Sequence, residues 1–184
     1  QESRQQEACR VALRGKPGSG DRERAASVRT IQRRHAHGLL VMGLALLNSR
    51  AQLGVDAPRV TIEVFLSGGL PTFSIVGMPE TAVRESKDRV RGAILSSGYD
   101  FPQERIIVSL GPADMRKTGG RFDLAIALGI LVASNQLNDD LMTSHEFFGE
   151  LSLNGELRRV PGALPAALRA AEAGQRIVVP RGNA

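Results

Sequence analysis

The chain has no tryptophan, one tyrosine and only six phenylalanines among 184 residues. Its core must therefore be aliphatic, built from Leu, Ile, Val and Ala, and the scarcity of aromatics argues against nucleic-acid binding through a platform of stacked rings. The single cysteine, Cys9, cannot close an internal disulfide, which suits a reducing cytoplasm. Lysine is scarce as well: only Lys16, Lys87 and Lys117 occur, and none lies in a segment that reads as buried. A lysine serves as a general base only when desolvation lowers its pKa, so this distribution argues against lysine-based catalysis. No apolar run reaches membrane-spanning length. The short run Gly38 to Leu47 follows too many charges, and leads too directly into domain sequence, to be a secretory signal.

What is present divides into two parts. The net charge of +5 belongs to residues 1–41, which hold nine Arg/Lys against four Asp/Glu, whereas residues 42–184 hold fifteen of each sign. A neutral body argues against a dedicated phosphate-binding surface. Residues 1–38 are rich in Arg, Gln, Glu, Ser and Gly and lack a sustained apolar period. Such a segment cannot offset its ordering entropy by burial and reads as a disordered tail, alternatively as a basic arm for nucleic acid. Gly15-Lys16-Pro17-Gly18-Ser19-Gly20 imitates a phosphate loop, but Asp21 and Arg22 stand where Lys and Ser/Thr are needed. His35 and His37 lack companions at metal-ligand spacing, with only His145 elsewhere. Met42 reads as a natural start, with residues 1–41 as upstream sequence and 42–184 as one folded domain.

Within that domain, Arg59 to Leu66 alternates with period two, and Thr72 to Val76 follows a Gly-Gly-Leu-Pro break, giving strand, turn and strand. Pro79 opens a helix with Val83, Val90 and Ile94 on one stripe, Ala82, Ser86 and Ala93 beside them, and Arg84, Lys87, Arg89 and Arg91 on a solvated outer face balanced by nearby carboxylates. It ends near Gly98. Arg105 to Leu110 is a compact buried strand. Asp123 to Ala133 is apolar nearly all round, which predicts an interior helix covered on both sides. Phe147 to Leu153 and Glu156 to Val160 are predicted to pair across Asn154-Gly155. An alanine-rich helix over Ala163 to Ala173, closed by Gly174, and a strand over Ile177 to Val179 complete the series. Strands mixed with helices packed on a sheet predict an α+β (α/β two-layer) domain.

Several motifs carry a resemblance. Leu53-Gly54-Val55-Asp56, Ile75-Val76-Gly77-Met78-Pro79-Glu80-Thr81-Ala82-Val83, Gly119 to Leu124, Gly149-Glu150-Leu151 and Arg159 to Pro165 occur in an order that resembles the ChlI-type amino-terminal domain of the ComM/YifB family of Mg-chelatase-like AAA+ ATPases. The resemblance implies a Lon-protease-like fold of the ribosomal-protein-S5 type. It further implies a cytoplasmic, hexameric assembly that migrates DNA branches in recombination and natural transformation. ATP and Mg²⁺ would be held by an AAA+ domain whose Walker residues do not occur in this sequence. The partners implied are that domain, neighbouring subunits and, through the assembly, DNA; no membrane and no cofactor of this chain's own are expected.

Active Lon-type peptidases place a nucleophilic serine after a Lys-x-Gly-x run and a lysine base on the helix after the hairpin. Here Lys117-Thr118-Gly119-Gly120 fills the run, so the serine position falls on Arg121 and the base position at about Leu164. The dyad is lost, and the expectation is a non-catalytic domain. Lys117, Gly119, Gly120, Arg121 and Asp123 become candidate partner contacts, with Arg121 at a cleft mouth. The plainer alternative makes Asp123 a helix cap, Arg121 a local pair and the glycines a tight turn. A divergent peptidase using Ser96, Ser97 or Ser109 is a second reading, although no base accompanies them; a stand-alone nucleic-acid binder acting through the arm is a third.

Overall fold

The computed structural model describes residues 43–184. The readings placed on the tail, its phosphate-loop mimic, Cys9 and the His35/His37 pair lie outside the described residues.

Three antiparallel strands form the centre of the sheet. β1 (Gly43–Arg50) pairs with β2 (Arg59–Ser67), which pairs in turn with β4 (Arg105–Gly111). Alternation sets their register, since Val60, Ile62, Val64 and Leu66 of β2 and Ile106, Val108 and Leu110 of β4 all turn to the same covered face. β3 (Thr72–Val76) joins β4 in parallel on one side. On the other side β5 (His145–Phe147) runs parallel to β1, and β8 (Arg176–Val178) parallel to β5. The mixed six-stranded sheet thus has the order β3-β4-β2-β1-β5-β8.

Helix α3 (Asp123–Ala133) lies on β1 and β2, with α2 (Ser86–Ser96) packed over it. Every residue of α3 is buried, as its apolar circumference requires. Gly129 makes the close approach possible: a Cβ there would stand 2.6 Å from Val64 Cγ2 and 3.0 Å from Leu47 Cδ1. Ile126, Ile130 and Phe122 are fully enclosed, so cutting either isoleucine to alanine would cost about 2–5 kcal/mol. Helix α4 (Ala163–Glu172) buries Ala163, Ala166 and Ala170 beside β8 and closes at Gly174 in a left-handed conformation, φ 67°. The architecture is α+β, as the element pattern predicts.

Four expectations need correction. The helix after Pro79 is divided at Glu85 into a single turn, α1 (Thr81–Arg84), and α2. The predicted long hairpin shrinks to β6 (Glu150–Leu151) and β7 (Leu157–Arg158). Phe147 belongs to the main sheet, and the next amides are already committed: Phe148 N–H donates to Val178 O at 2.9 Å and Gly149 N–H to Arg121 O at 2.9 Å. Arg89 does not belong to a solvated face; it turns inward to Asp123. Lys117 is fully buried, although its neighbourhood is polar in sequence.

Candidate functional site

Four segments meet where α3 begins: the turn leaving β1, the loop from Gly111 to Gly120, the β5–β6 connection, and the start of α4. The first is fixed by a buried ion pair. Arg50 Nε and Nη2 meet the two Glu146 oxygens at 2.5 and 2.8 Å, and Arg50 Nη1 donates to Ala57 O at 3.0 Å. One guanidinium therefore joins β1 to β5 and closes the base of the Ala51–Asp56 turn, in which Gly54 adopts φ 62°. Asp56 leaves that turn to accept from Arg169 of α4 at 2.8 Å and from the Ala57 amide, and these contacts hold its pKa below the usual carboxylate value.

The second segment is held by Lys117. Its N–H donates to Met78 O, its carbonyl accepts from Glu80 N–H at 3.1 Å, and its ammonium folds back onto Pro112 O. Burial depresses its pKa, with Asp114 opposing. These bonds make Lys117 a staple between the loop and the Pro79 turn. Gly119, at φ 69°, and Gly120 then carry the chain past Glu150; a Cβ on Gly120 would meet Glu150 Cγ and Oε2 at 2.5 Å.

Asp123 does not cap its helix; Phe122 holds the cap position and no side chain bonds there. Its carboxylate is fully buried and accepts from Ser86 Oγ, from Arg89 Nε at 2.7 Å and Nη2 at 3.2 Å, and from Leu151 N–H at 3.2 Å. Burial pushes its pKa up, opposed by Arg89, Ser86 and the Leu151 amide. The group ties α2, α3 and β6 together and faces no solvent. Ser86 and Arg89 were not recognised as its partners from sequence. The available signal was a serine interrupting an apolar stripe, since a buried hydroxyl needs a hydrogen-bonding partner.

Arg121 is 4% exposed, so its side chain is buried and not open to solvent as a cleft-mouth position would be. Its Nε donates to Thr118 O and its Nη2 to Gln52 Oε1, both at 3.1 Å, and its guanidinium carbon stands 5.5 Å from the centre of the Phe148 ring. Nη1 is buried with no hydrogen-bond partner. Among the described residues no carboxylate pairs with it, and desolvation draws its pKa down. Gln52, which sequence analysis passed over, stands with Arg121 against the amino end of α4: a Cβ on Gly162 would lie 2.8 Å from Gln52 Oε1 and 3.3 Å from Arg121 Nη1. Arg121 thus lies against Gly162, two residues before Leu164, whose side chain is 71% exposed.

The alternative nucleophiles have other roles. Ser96 Oγ donates to Leu153 O at 2.8 Å, and Ser97 Oγ packs where a Cβ on Gly155 would otherwise lie. Ser109 sits within β4 opposite Glu63. His145 bonds to Ser144 Oγ and Leu141 O and lies against Phe147. Among the described residues no three His, Cys, Asp or Glu side chains are grouped to hold a metal, and no helix is long and apolar enough to cross a membrane.

The model of the family described as subunit ChlI of Mg-chelatase matches residues 62–183. The chain belongs to that family. The ChlI match runs from within β2 to Asn183 and includes Lys117, Arg121, Asp123 and Gly162. Among individual proteins, the chain is 52% identical over 143 residues to YifB of Salmonella typhimurium and 49% identical over 142 residues to YifB of Escherichia coli. It is 50% identical over 143 residues to the competence protein ComM of Haemophilus influenzae. Each alignment takes in 77–78% of this chain and 28% of the relative, so this ChlI-family chain spans little more than a quarter of those proteins' length.

Proposed function

We propose that the chain is the non-catalytic, Lon-like accessory part of a ComM/YifB-type AAA+ ATPase that acts on DNA in the cytoplasm. The observation that carries this reading is the replaced dyad. Where the resemblance puts the nucleophile stands a buried, hydrogen-bonded arginine, Arg121, and where it puts the base stands an exposed leucine, Leu164. A guanidinium neither attacks a carbonyl nor accepts a proton near neutral pH. The one described lysine that is desolvated, Lys117, spends its ammonium on Pro112 O.

In this reading ATP and Mg²⁺ are bound by an AAA+ domain of the full-length protein, in a hexamer that migrates DNA branches during recombination and natural transformation. The kinship with a protein named for competence supports the last step. The present chain contributes contacts to its own ATPase domain or to neighbouring subunits. The test compares the full-length protein with a version lacking residues 42–184, following ATP hydrolysis and the migration of a synthetic four-way DNA junction. Loss or misregulation of junction movement is expected with ATP binding preserved; unchanged ATPase and migration rates would refute an accessory role. Casein or fluorescent-peptide hydrolysis that vanishes on Ser109→Ala or Ser96→Ala would replace the reading with a peptidase.

A further inference from the structure

The amino end of α4 lacks the groups that normally satisfy it. Its cap is Gly162, in a left-handed conformation at φ 83°, and no side chain bonds to the first turn. The third helical residue, Pro165, has no N–H, and Ala166 N–H reaches Gly162 O at 3.2 Å. That leaves Ala163 and Leu164, whose first-turn amides have no acceptor within the helix and carry its partial positive charge. The space that a capping side chain would fill is taken by Gln52 Oε1 and by the orphan Nη1 of Arg121. A buried guanidinium without an anion, set against the positive end of a helix, combines two groups that repel each other and share one complement.

We propose that Arg121 Nη1 and the Ala163 and Leu164 amides form a carboxylate site for an acidic side chain of a partner polypeptide, flanked in that polypeptide by apolar residues. The rim selects a peptide over a nucleic-acid phosphate. Leu53 (66% exposed) and Val55 (95%) lie on the turn that carries Gln52, and Leu164 (71%) and Leu168 (58%) on α4, so both elements beside the position expose apolar side chains. The Asp56–Arg169 ion pair draws the turn and the helix together and engages the exposed cation on that helix. A phosphate backbone needs a row of free Lys or Arg, whereas an acidic residue between leucines matches one cation within an apolar rim. The site stands whether or not the parent assembly moves DNA junctions.

The test uses the whole chain and N-acetyl-Leu-Glu-Leu-amide, with the Gln tripeptide, inorganic phosphate and a short DNA duplex as comparisons. Binding is followed through the ¹⁵N–¹H resonances of Ala163 and Leu164 and the guanidinium resonances of Arg121. The Glu peptide is expected to shift these resonances saturably and to bind at least tenfold more tightly than the Gln peptide. Arg121→Met should abolish that difference. Because Arg121 is buried, Gln52→Glu supplies a second variant on an exposed, isosteric side chain: its carboxylate would occupy the guanidinium from within and weaken the Glu peptide at least tenfold with the amide spectrum otherwise intact. Equal binding of Glu and Gln peptides, unchanged binding in Gln52→Glu, no response to any probe, or a response to phosphate or DNA alone would each overturn the proposal.

Discussion

Replacing Glu146 by glutamine tests whether the Arg50–Glu146 pair holds the site's framework. Both partners are buried, and Glu146 accepts two hydrogen bonds from the guanidinium at 2.5 and 2.8 Å. Glutamine keeps the shape, but it removes the negative charge and turns an NH₂ toward a donor. Breaking a buried pair in this way costs about 3–5 kcal/mol, because the remaining charge stays desolvated. For a domain of this size the melting temperature should fall by roughly 10 °C. Urea denaturation followed by circular dichroism gives the free energy directly. The double variant Arg50→Met/Glu146→Leu removes both charges and should return to within about 2 kcal/mol of the parent, since apolar groups of similar volume often replace such pairs at little cost. The double variant does lose the Arg50 bond to Ala57 O, so the Gln52 turn should loosen even as stability returns. A Glu146→Gln loss below about 1 kcal/mol, or a double variant as unstable as the two single losses added, would refute the reasoning.

Gln52→Glu should stabilise the chain by about 1 kcal/mol at neutral pH, because it turns a neutral acceptor on a buried guanidinium into a charged one. Arg121 would hold the new carboxyl below its ordinary value, so the gain should be full above about pH 4.3 and disappear as pH falls through the folded-state pKa, which a pH series of melts would show. Lys117, whose pKa burial depresses, gives a rise of the same sign at alkaline pH: between its folded value and 10.5 the unfolded chain binds the extra proton, so stability rises with pH. Lys117→Met should flatten that rise, and a slope identical to the parent's would count against a desolvated ammonium. At Gly77, φ is 99° and an added Cβ would overlap the Leu110 carbonyl oxygen. Gly77→Ala should therefore cost at least about 2 kcal/mol in urea denaturation.

Local periodicity made much of this fold readable. The alternation of Arg59 to Leu66 and the unbroken apolar circumference of Asp123 to Ala133 each encode a burial pattern within a few residues, and both elements appear where those patterns place them. The Asn154-Gly155 turn was legible too, but the length of its arms was not. Phe148 and Gly149 give their amides to β8 and to the start of α3, a choice made by partners remote in sequence. The same limit applies to charge. Arg50 and Glu146 are 96 positions apart and Arg89 and Asp123 are 34 apart, so no spacing rule connects them. Arg121 was found as a position through resemblance. Its burial, its orphan Nη1 and its meeting with Gln52 and Gly162 follow from the convergence of three loops.

The enclosure of α3 sets a clock for the whole domain. With the sheet beneath it, α2 above and the β6–β7 hairpin at its end, none of its amides can reach water by local fraying. Their exchange with deuterium must await opening of the entire fold, so the slowest protons in the molecule should belong to this helix and report the global free energy of unfolding. Arg121 is joined to it through Phe122 and through Gly149, which donates to Arg121 O and accepts from Leu124 N–H. A ligand held by that guanidinium would therefore slow these distant protons as much as it stabilises the fold, giving a readout of occupancy inside the core.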